Sequence, residues 1–119
     1  MRFKYDYLES EYQSDKLSGR LRLVLEALET YMNRTFAHEI VITRIFEDLG
    51  NPKSQHLVGE AADVRANDWK PDEVGNACTY LNSKHYRMDK VGGRNALTCW
   101  AHGTGGDFHL HISVDKRKS

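Results

Sequence analysis

The chain has 119 residues, of which 39% are hydrophobic and 29% charged, a composition typical of a folded globular domain. Seventeen basic residues balance 17 acidic ones, which predicts no general attraction to nucleic acid or to an anionic membrane. No apolar run approaches the roughly 20 residues that span a bilayer, and residues 1–11 lack the apolar stretch of a secretory signal. We therefore predict one domain over residues 1–119, with its core at about 17–114, that recognises its partner through a local site.

The first half of the chain predicts one helix and two strands. Between residues 17 and 32, apolar residues recur at the spacing of a helix face, which predicts an amphipathic helix. These residues are Leu17, Leu21, Val24, Leu25, Leu28 and Met32. The β-branched run at 38–46 predicts a partly buried strand. Residues 47–53 contain glycine, asparagine and proline and predict a loop, and residues 61–65 predict a second short strand.

The second half predicts a helix and then further strands. Pro71 begins the helix, because proline suits a first helical turn and Asp72 and Glu73 suit the positive end of the helix dipole. Strands then follow, separated by glycine-rich turns, over residues 88–91, 97–102 and 107–114. This order predicts an α+β domain in which helices pack on one face of an antiparallel sheet.

The chain has only two cysteines, Cys78 on the predicted second helix and Cys99 in a predicted strand. Two isolated cysteines are more often small buried residues than a disulfide or a zinc pair. We therefore predict no bond between them.

Apolar and polar residues alternate along the last predicted strand. Its apolar residues are Phe108, Leu110, Ile112 and Val114. Because side chains on a strand point alternately to opposite faces, we expect Asp107, His109 and His111 in one row on the other face. Two imidazoles and a carboxylate in a row can supply metal ligands and acid–base groups. The same pattern also suits a solvent-exposed polar face, so both interpretations stay open at this point.

A second group of polar residues lies between residues 54 and 63, where the sequence is Ser-Gln-His-Leu-Val-Gly-Glu-Ala-Ala-Asp. Gly59 and the alanines that follow it permit close backbone packing, and Ser54 can hydrogen-bond within its own turn. Asp63 lies in a predicted strand that would hold its carboxylate rigidly. Taken alone, His56 and Asp63 would also suit a surface turn and a strand end.

Together, the two groups resemble a known family. Ser-x-His-x-x-Gly-x-Ala-x-Asp at residues 54–63, followed by His-x-His at 109–111, resembles the zinc D-Ala-D-Ala metallopeptidases. These include carboxypeptidases, dipeptidases and phage L-alanyl-D-glutamate endopeptidases, and the hedgehog signalling domain shares their fold. The resemblance implies a hedgehog/DD-peptidase-like fold over about residues 17–114. It also implies that His56, Asp63 and His111 bind Zn²⁺, with a fourth position open for water as in catalytic zinc sites.

The resemblance implies roles for further residues. Asp107, four residues before the last ligand, is the leading candidate for the general base. The weaker candidates are Glu47, Asp48 and Glu60. His109 matches the residue that steadies the bound water or oxyanion. Arg44 matches a substrate-binding arginine, since a guanidinium fork suits a carboxylate or a polarised carbonyl, and Ser54 is assigned to the substrate site with it.

The resemblance thus predicts zinc-dependent hydrolysis of a peptide bond in bacterial peptidoglycan, by a monomer that binds neither nucleic acid nor membrane. Without a signal peptide, we expect such an enzyme to be cytoplasmic, or phage-encoded and released to the wall by lysis. Two alternatives stay open. One is a non-catalytic zinc-bearing binding module on the same fold, and the other is a metal-free structural phage protein.

Overall fold

The computed structural model describes residues 1–46 and 54–115, which form three α-helices and seven short strands. The elements in chain order are β1 (Arg2–Phe3), α1 (Asp6–Tyr12), α2 (Gly19–Phe36), β2 (Val41–Arg44), β3 (Ala61–Arg65), α3 (Pro71–Lys84), β4 (Lys90–Val91), β5 (Arg94–Asn95), β6 (Cys99–His102) and β7 (His109–Ser113). The predicted α+β class is confirmed. Among the described residues, no helix is both long enough and apolar enough to cross a bilayer.

Five strands form the main sheet in the order β1-β2-β3-β7-β6, while β4 and β5 form a separate hairpin. The sheet is mixed and not purely antiparallel as predicted, because β1 runs parallel to β2. The Arg2 amide donates to the Ile40 carbonyl at 2.8 Å, and the Lys4 amide donates to the Ile42 carbonyl at 2.9 Å. A strand of two residues is too short to show an alternating pattern, so the sequence did not reveal it.

Helix α2 begins at Gly19 and not at Leu17, because Ser18 is its N-cap and accepts a hydrogen bond from the Leu21 amide at 3.3 Å. The helix continues to Phe36, four residues beyond the predicted end, and stops where Ala37 adopts a left-handed conformation with φ 57°. The predicted apolar stripe is its buried face.

Most strands are shorter than predicted, and the later start of the last one changes the position of a candidate site residue. Strand β2 covers four residues of the predicted 38–46 run, whereas β3 has the predicted bounds. The last strand was predicted from Asp107, but residues 105–107 form a 3₁₀ turn and β7 begins at His109. Asp107 therefore lies in the turn before the strand and not in its row of polar side chains.

The core lies between the sheet and helices α2 and α3. On β3 and β7 the core side is formed by Ala62, Val64, Leu110 and Ile112, all with no exposed surface. They join one cluster with the apolar stripe of α2 and with Ala77 and Leu81 of α3. Each large side chain buried in this way contributes about 1.5–3 kcal/mol. Because strand side chains alternate, this packing places Asp63 and His111 on the opposite side, called here the polar face of the sheet.

Candidate metal centre

Strand register places the polar side chains of the polar face in two rows across the sheet. One row is formed by Arg44, Asp63, His111 and Trp100, each paired with the next on the neighbouring strand. A second row is formed by Arg65, His109 and His102. Directly paired residues of antiparallel strands share a face and lie in contact range. Six of these seven side chains carry a charge or an imidazole, and Trp100 is the exception.

A β-bulge brings Arg44 to the polar face. Ile42 pairs with Val64 on the core side, yet Arg44 pairs with Asp63 on the other side because the register shifts between Ile42 and Arg44. A bulge of this kind re-aims the side chain that follows it. The Arg44 Nη1 atom lies 3.4 Å from Asp63 Oδ2. The predicted substrate arginine is thus beside the predicted metal ligand.

His56 approaches the same point from the turn formed by residues 55–59. Its ring is oriented by Nδ1, which donates to the Ile45 carbonyl at 2.8 Å and so leaves Nε2 as the ligand atom. The Ser54 hydroxyl accepts a hydrogen bond from the His56 amide at 3.2 Å. Ser54, predicted at the substrate site, therefore supports the turn that carries His56.

Gly59 allows this turn to pack closely on the start of α2. It has φ +73°, and a Cβ atom there would lie 2.5 Å from the Lys16 carbonyl oxygen and 2.9 Å from the Phe46 ring. The Gly59 carbonyl also accepts a hydrogen bond from the Ser18 amide at 2.9 Å. Glycine at this motif position is thus required both by the backbone conformation and by space.

Gly59→Ala is expected to lower the free energy of unfolding by about 3 kcal/mol, since a left-handed alanine costs about 1–2 kcal/mol and a backbone overlap costs about 1–3 kcal/mol. Gly75→Ala is the matched control. Gly75 lies within α3 and nothing lies within 4 Å of an added Cβ, so its replacement should stabilise by about 0.5–1 kcal/mol. Denaturant titration of both variants measures the difference. Equal stabilities would show that Gly59 is not under this constraint.

The three predicted ligands converge on one point. Asp63 Oδ1 lies 3.4 Å from His56 Nε2 and 3.3 Å from His111 Nδ1, and one ligand atom from each residue falls within 4.8 Å of the others. A tetrahedral ion with bonds of about 2.0–2.1 Å separates its ligand atoms by about 3.3–3.4 Å. These two separations match such edges, so the residues form a possible triad for binding a divalent ion.

The electrostatics of Asp63 also suit a metal ligand. The side chain is only 3% exposed, and burial acts to raise its pKa. The hydrogen bonds from His111 and His56 and the charges of His56 and His109 outweigh burial and hold the pKa of Asp63 well below its usual range. The carboxylate is therefore ionised, as a metal ligand must be.

A cleft of about 910 Å³ lies against this face, and Asp63 lines it together with Arg44, Asp107 and His109. His109 Nε2 lies 3.7 Å from Asp63 Oδ2, while its Nδ1 donates to the main-chain oxygen of Asp107 at 2.7 Å. Asp107 therefore holds the His109 ring through its backbone, and its own side chain is exposed in the cleft.

The remaining predicted bases are placed differently. Glu47 and Asp48 lie outside the described residues. Glu60 is buried, with 3% of its surface exposed, and it is not among the residues that line the described cleft. Asp107 is thus the predicted base that the structure brings to the cleft.

The two sequence motifs leave out several residues that the structure places around the triad. Trp100 packs against His111 with ring centroids 5.1 Å apart, and His102 packs against His109 at 5.5 Å. Arg65 and the N-terminal Tyr5 line the cleft. The register of β6 on β7 would have identified Trp100 and His102, but no local pattern in the sequence gives that register.

Arg87 is a further missed residue, and it braces the turn that carries His56. Its side chain is 5% exposed, and Nη1 donates to Ser113 Oγ at 2.7 Å and to Gln55 Oε1 at 3.2 Å. Nε donates to Asp89 Oδ1 at 2.7 Å. Because Gln55 precedes His56 and Ser113 ends β7, this buried cation ties the two ligand-bearing segments together.

Neither the family models nor the curated proteins compared with this chain include a match. The function is therefore inferred from the side chains and their geometry. Two imidazoles and one carboxylate can hold a borderline-soft divalent ion. Three protein ligands also leave a tetrahedral ion one position for water or substrate, which is the arrangement of catalytic and not of structural zinc sites.

Proposed function

We propose that this chain is a zinc-dependent peptidase with a hedgehog/DD-peptidase-like fold that hydrolyses a peptide bond in the stem peptide of bacterial peptidoglycan. The observation that carries the proposal is the pair of distances from Asp63 Oδ1, which match the edges of a zinc tetrahedron. The motif resemblance at residues 54–63 and 109–111 supplies the substrate class. Zinc is favoured over Mg²⁺ or Ca²⁺ because two of the three ligand atoms are imidazole nitrogens.

Other groups of the protein orient the proposed ligands. When bound, zinc lowers the pKa of a coordinated water toward about 7 and polarises a carbonyl group. The Ile45 carbonyl fixes the His56 ring so that Nε2 points at Asp63, and Arg44 contacts the second Asp63 oxygen. Such support holds ligands in the productive geometry and raises metal affinity.

His109 is positioned to move a proton at the site. Because Nδ1 donates to the Asp107 main-chain oxygen, Nε2 is the ring atom that can take up or release a proton, and it lies 3.7 Å from Asp63 Oδ2. In this proposal Nε2 accepts a proton from the attacking water and, once protonated, donates a hydrogen bond to the oxyanion. The Asp107 carboxylate, exposed in the same cleft, is the second candidate for the base.

Two arginines give the cleft its substrate preference. Arg44 and Arg65 both line it beside Asp63, and their guanidinium groups suit the carboxylates of a stem peptide. Asp68 and Asp107 lie in the same cleft, so the cleft carries both signs of charge and a substrate must match their arrangement. A zwitterionic peptide end meets this requirement better than a uniformly charged polymer.

The decisive experiment incubates the zinc-loaded protein with defined wall peptides and identifies the products by mass spectrometry. We expect one specific bond to be cut. His109→Ala should lower kcat about 10²–10⁴-fold and leave zinc stoichiometry at about one, because His109 is not one of the three ligands. Asp107→Asn tests the alternative base and keeps the main-chain oxygen that holds His109.

The outcomes separate the open alternatives. A protein that binds stoichiometric zinc but cleaves no wall peptide is a non-catalytic binding module. A protein that binds no metal when zinc is supplied is a structural protein. His85→Ala is the control variant, because the described contact of its ring is with Tyr80 and not with the cleft.

A further inference from the structure

The two cysteines lie side by side across the interface between α3 and β6. Their Sγ atoms lie 3.1 Å apart. Cys99 is 1% exposed and Cys78 is half-buried. A disulfide has an S–S distance of about 2.05 Å, so the two sulfur atoms need to approach by only about 1 Å.

Asn82 holds the backbone of Cys99 in this position. It lies one helical turn after Cys78, and its Nδ2 donates to the Cys99 carbonyl at 2.9 Å. Its Oδ1 accepts hydrogen bonds from the amides of Thr98 at 2.9 Å and Cys99 at 3.0 Å. The Asn82 side chain thus makes three hydrogen bonds, one as donor and two as acceptor, that fix the start of β6 against the helix that carries Cys78.

The two thiols differ in pKa and in exposure. The hydrogen bond from Cys99 lowers the pKa of Cys78, against the smaller opposing effect of burial. The same hydrogen bond and burial raise the pKa of Cys99. Cys78 is also the more exposed of the two, so it is the thiol that an external oxidant meets as a thiolate.

We propose that Cys78 and Cys99 form an intramolecular disulfide when the protein meets a low-molecular-weight disulfide, and that this bond fastens α3 to the edge strand β6. The Cys78 thiolate attacks the small disulfide, forms a mixed disulfide and releases one small thiolate. The Cys99 thiol passes its proton to that thiolate, and its sulfur then attacks the Cys78 sulfur and releases the second small thiolate, which takes up the proton that Cys78 had lost. Two protein thiols are oxidised and one small disulfide is reduced to two thiols, so the exchange balances.

This bond would act close to the metal centre without depending on the proposed peptidase activity. Strand β6 lies at the edge of the sheet and holds Trp100, which packs against His111. The disulfide would close a loop between positions 21 apart in the chain. Closing a loop of this length stabilises mainly by restricting the unfolded chain.

Treatment of the reduced, folded protein with oxidised glutathione tests the proposal. We expect the intact mass to fall by about 2 mass units and both thiols to disappear from a thiol titration. The melting temperature should rise by about 5–10 °C and return to its starting value when a reductant is added.

Cys78→Ser and Cys99→Ala are the matched variants, and neither should lose mass or gain stability on the same treatment. Cys78 is half-buried, so Cys78→Ser keeps the test open if Cys99→Ala fails to fold. A stable glutathione adduct on wild-type Cys78, a disulfide-linked dimer, or two unreacted thiols in the folded protein would each overturn the proposal.

Discussion

Replacing His56, Asp63 or His111 with alanine is expected to abolish stoichiometric zinc binding and to reduce peptide hydrolysis to the background rate. Each replacement leaves two protein ligands from a set of three whose ligand atoms lie within 4.8 Å of one another. Two ligands hold zinc far more weakly than three in a preformed site. Metal analysis of the purified variants, after zinc is supplied and excess is removed, measures the loss directly.

Thermal stability gives a second measurement of the same effect. A ligand that binds only the folded state at 100 times its Kd stabilises that state by about 2.7 kcal/mol. Wild-type protein should therefore melt at a higher temperature with zinc than with a chelator, and the three alanine variants should melt at the same temperature in both. Asp63→Asn separates charge from packing, since it keeps the shape of a side chain that is only 3% exposed.

His85→Ala is the control for these variants and should bind zinc and respond to it as the wild type does. If one of the three alanine variants keeps full zinc stoichiometry and full activity, that residue is not a ligand. If all three keep them, the ion binds elsewhere and the proposed centre is wrong.

Arg87→Ala is expected to lower the free energy of unfolding by about 3 kcal/mol, because it removes the hydrogen bonds of a buried cation and a hydrogen bond to a charged group contributes about 1.5–3 kcal/mol. The change leaves the buried Ser113 hydroxyl and the Gln55 amide without a shared donor, and it removes the paired cation of Asp89. For a chain of this size the loss corresponds to a fall of about 10–20 °C in melting temperature. Denaturant unfolding of the metal-free protein measures it without interference from zinc binding.

Arg94→Ala is the matched control, because Arg94 is exposed and a surface substitution of this kind costs less than about 0.5 kcal/mol. Similar stabilities for the two variants would show that Arg87 is not a structural brace. If the Arg87→Ala variant is less stable but binds zinc with unchanged affinity, Arg87 stabilises the fold and does not support the metal centre.

The effect of Arg87 should also depend on pH. Its hydrogen bonds lower the pKa of Asp89 to about 2 in the folded protein, whereas an unfolded aspartate titrates near 3.9. Because the folded pKa is the lower one, this stabilisation is complete above about pH 4 and is lost as the pH falls toward 2. The difference in stability between wild type and Arg87→Ala should therefore shrink over that interval.

Local sequence patterns were enough to predict the helices and strands whose signals lie close together in the chain. The apolar stripe of α2, the bounds of β3 and the start of α3 at Pro71 all follow from residues close together in the chain. The alternation around His111 was also readable, since a strand exposes every second side chain to the same face. The ends of elements were predicted less well, because caps such as Ser18 and turns such as residues 105–107 depend on single hydrogen bonds.

The sequence by itself determined the α+β class, the main helices and the three residues of the possible metal triad, because periodicity and a short motif are local properties. Only the tertiary structure decided what surrounds them. The bulge that turns Arg44 toward Asp63, the register that sets Trp100 against His111 and the brace from Arg87 all join segments distant in the chain. Pairing between distant strands depends on the packing of the whole sheet, and a register shift of one residue would move each side chain to the other face.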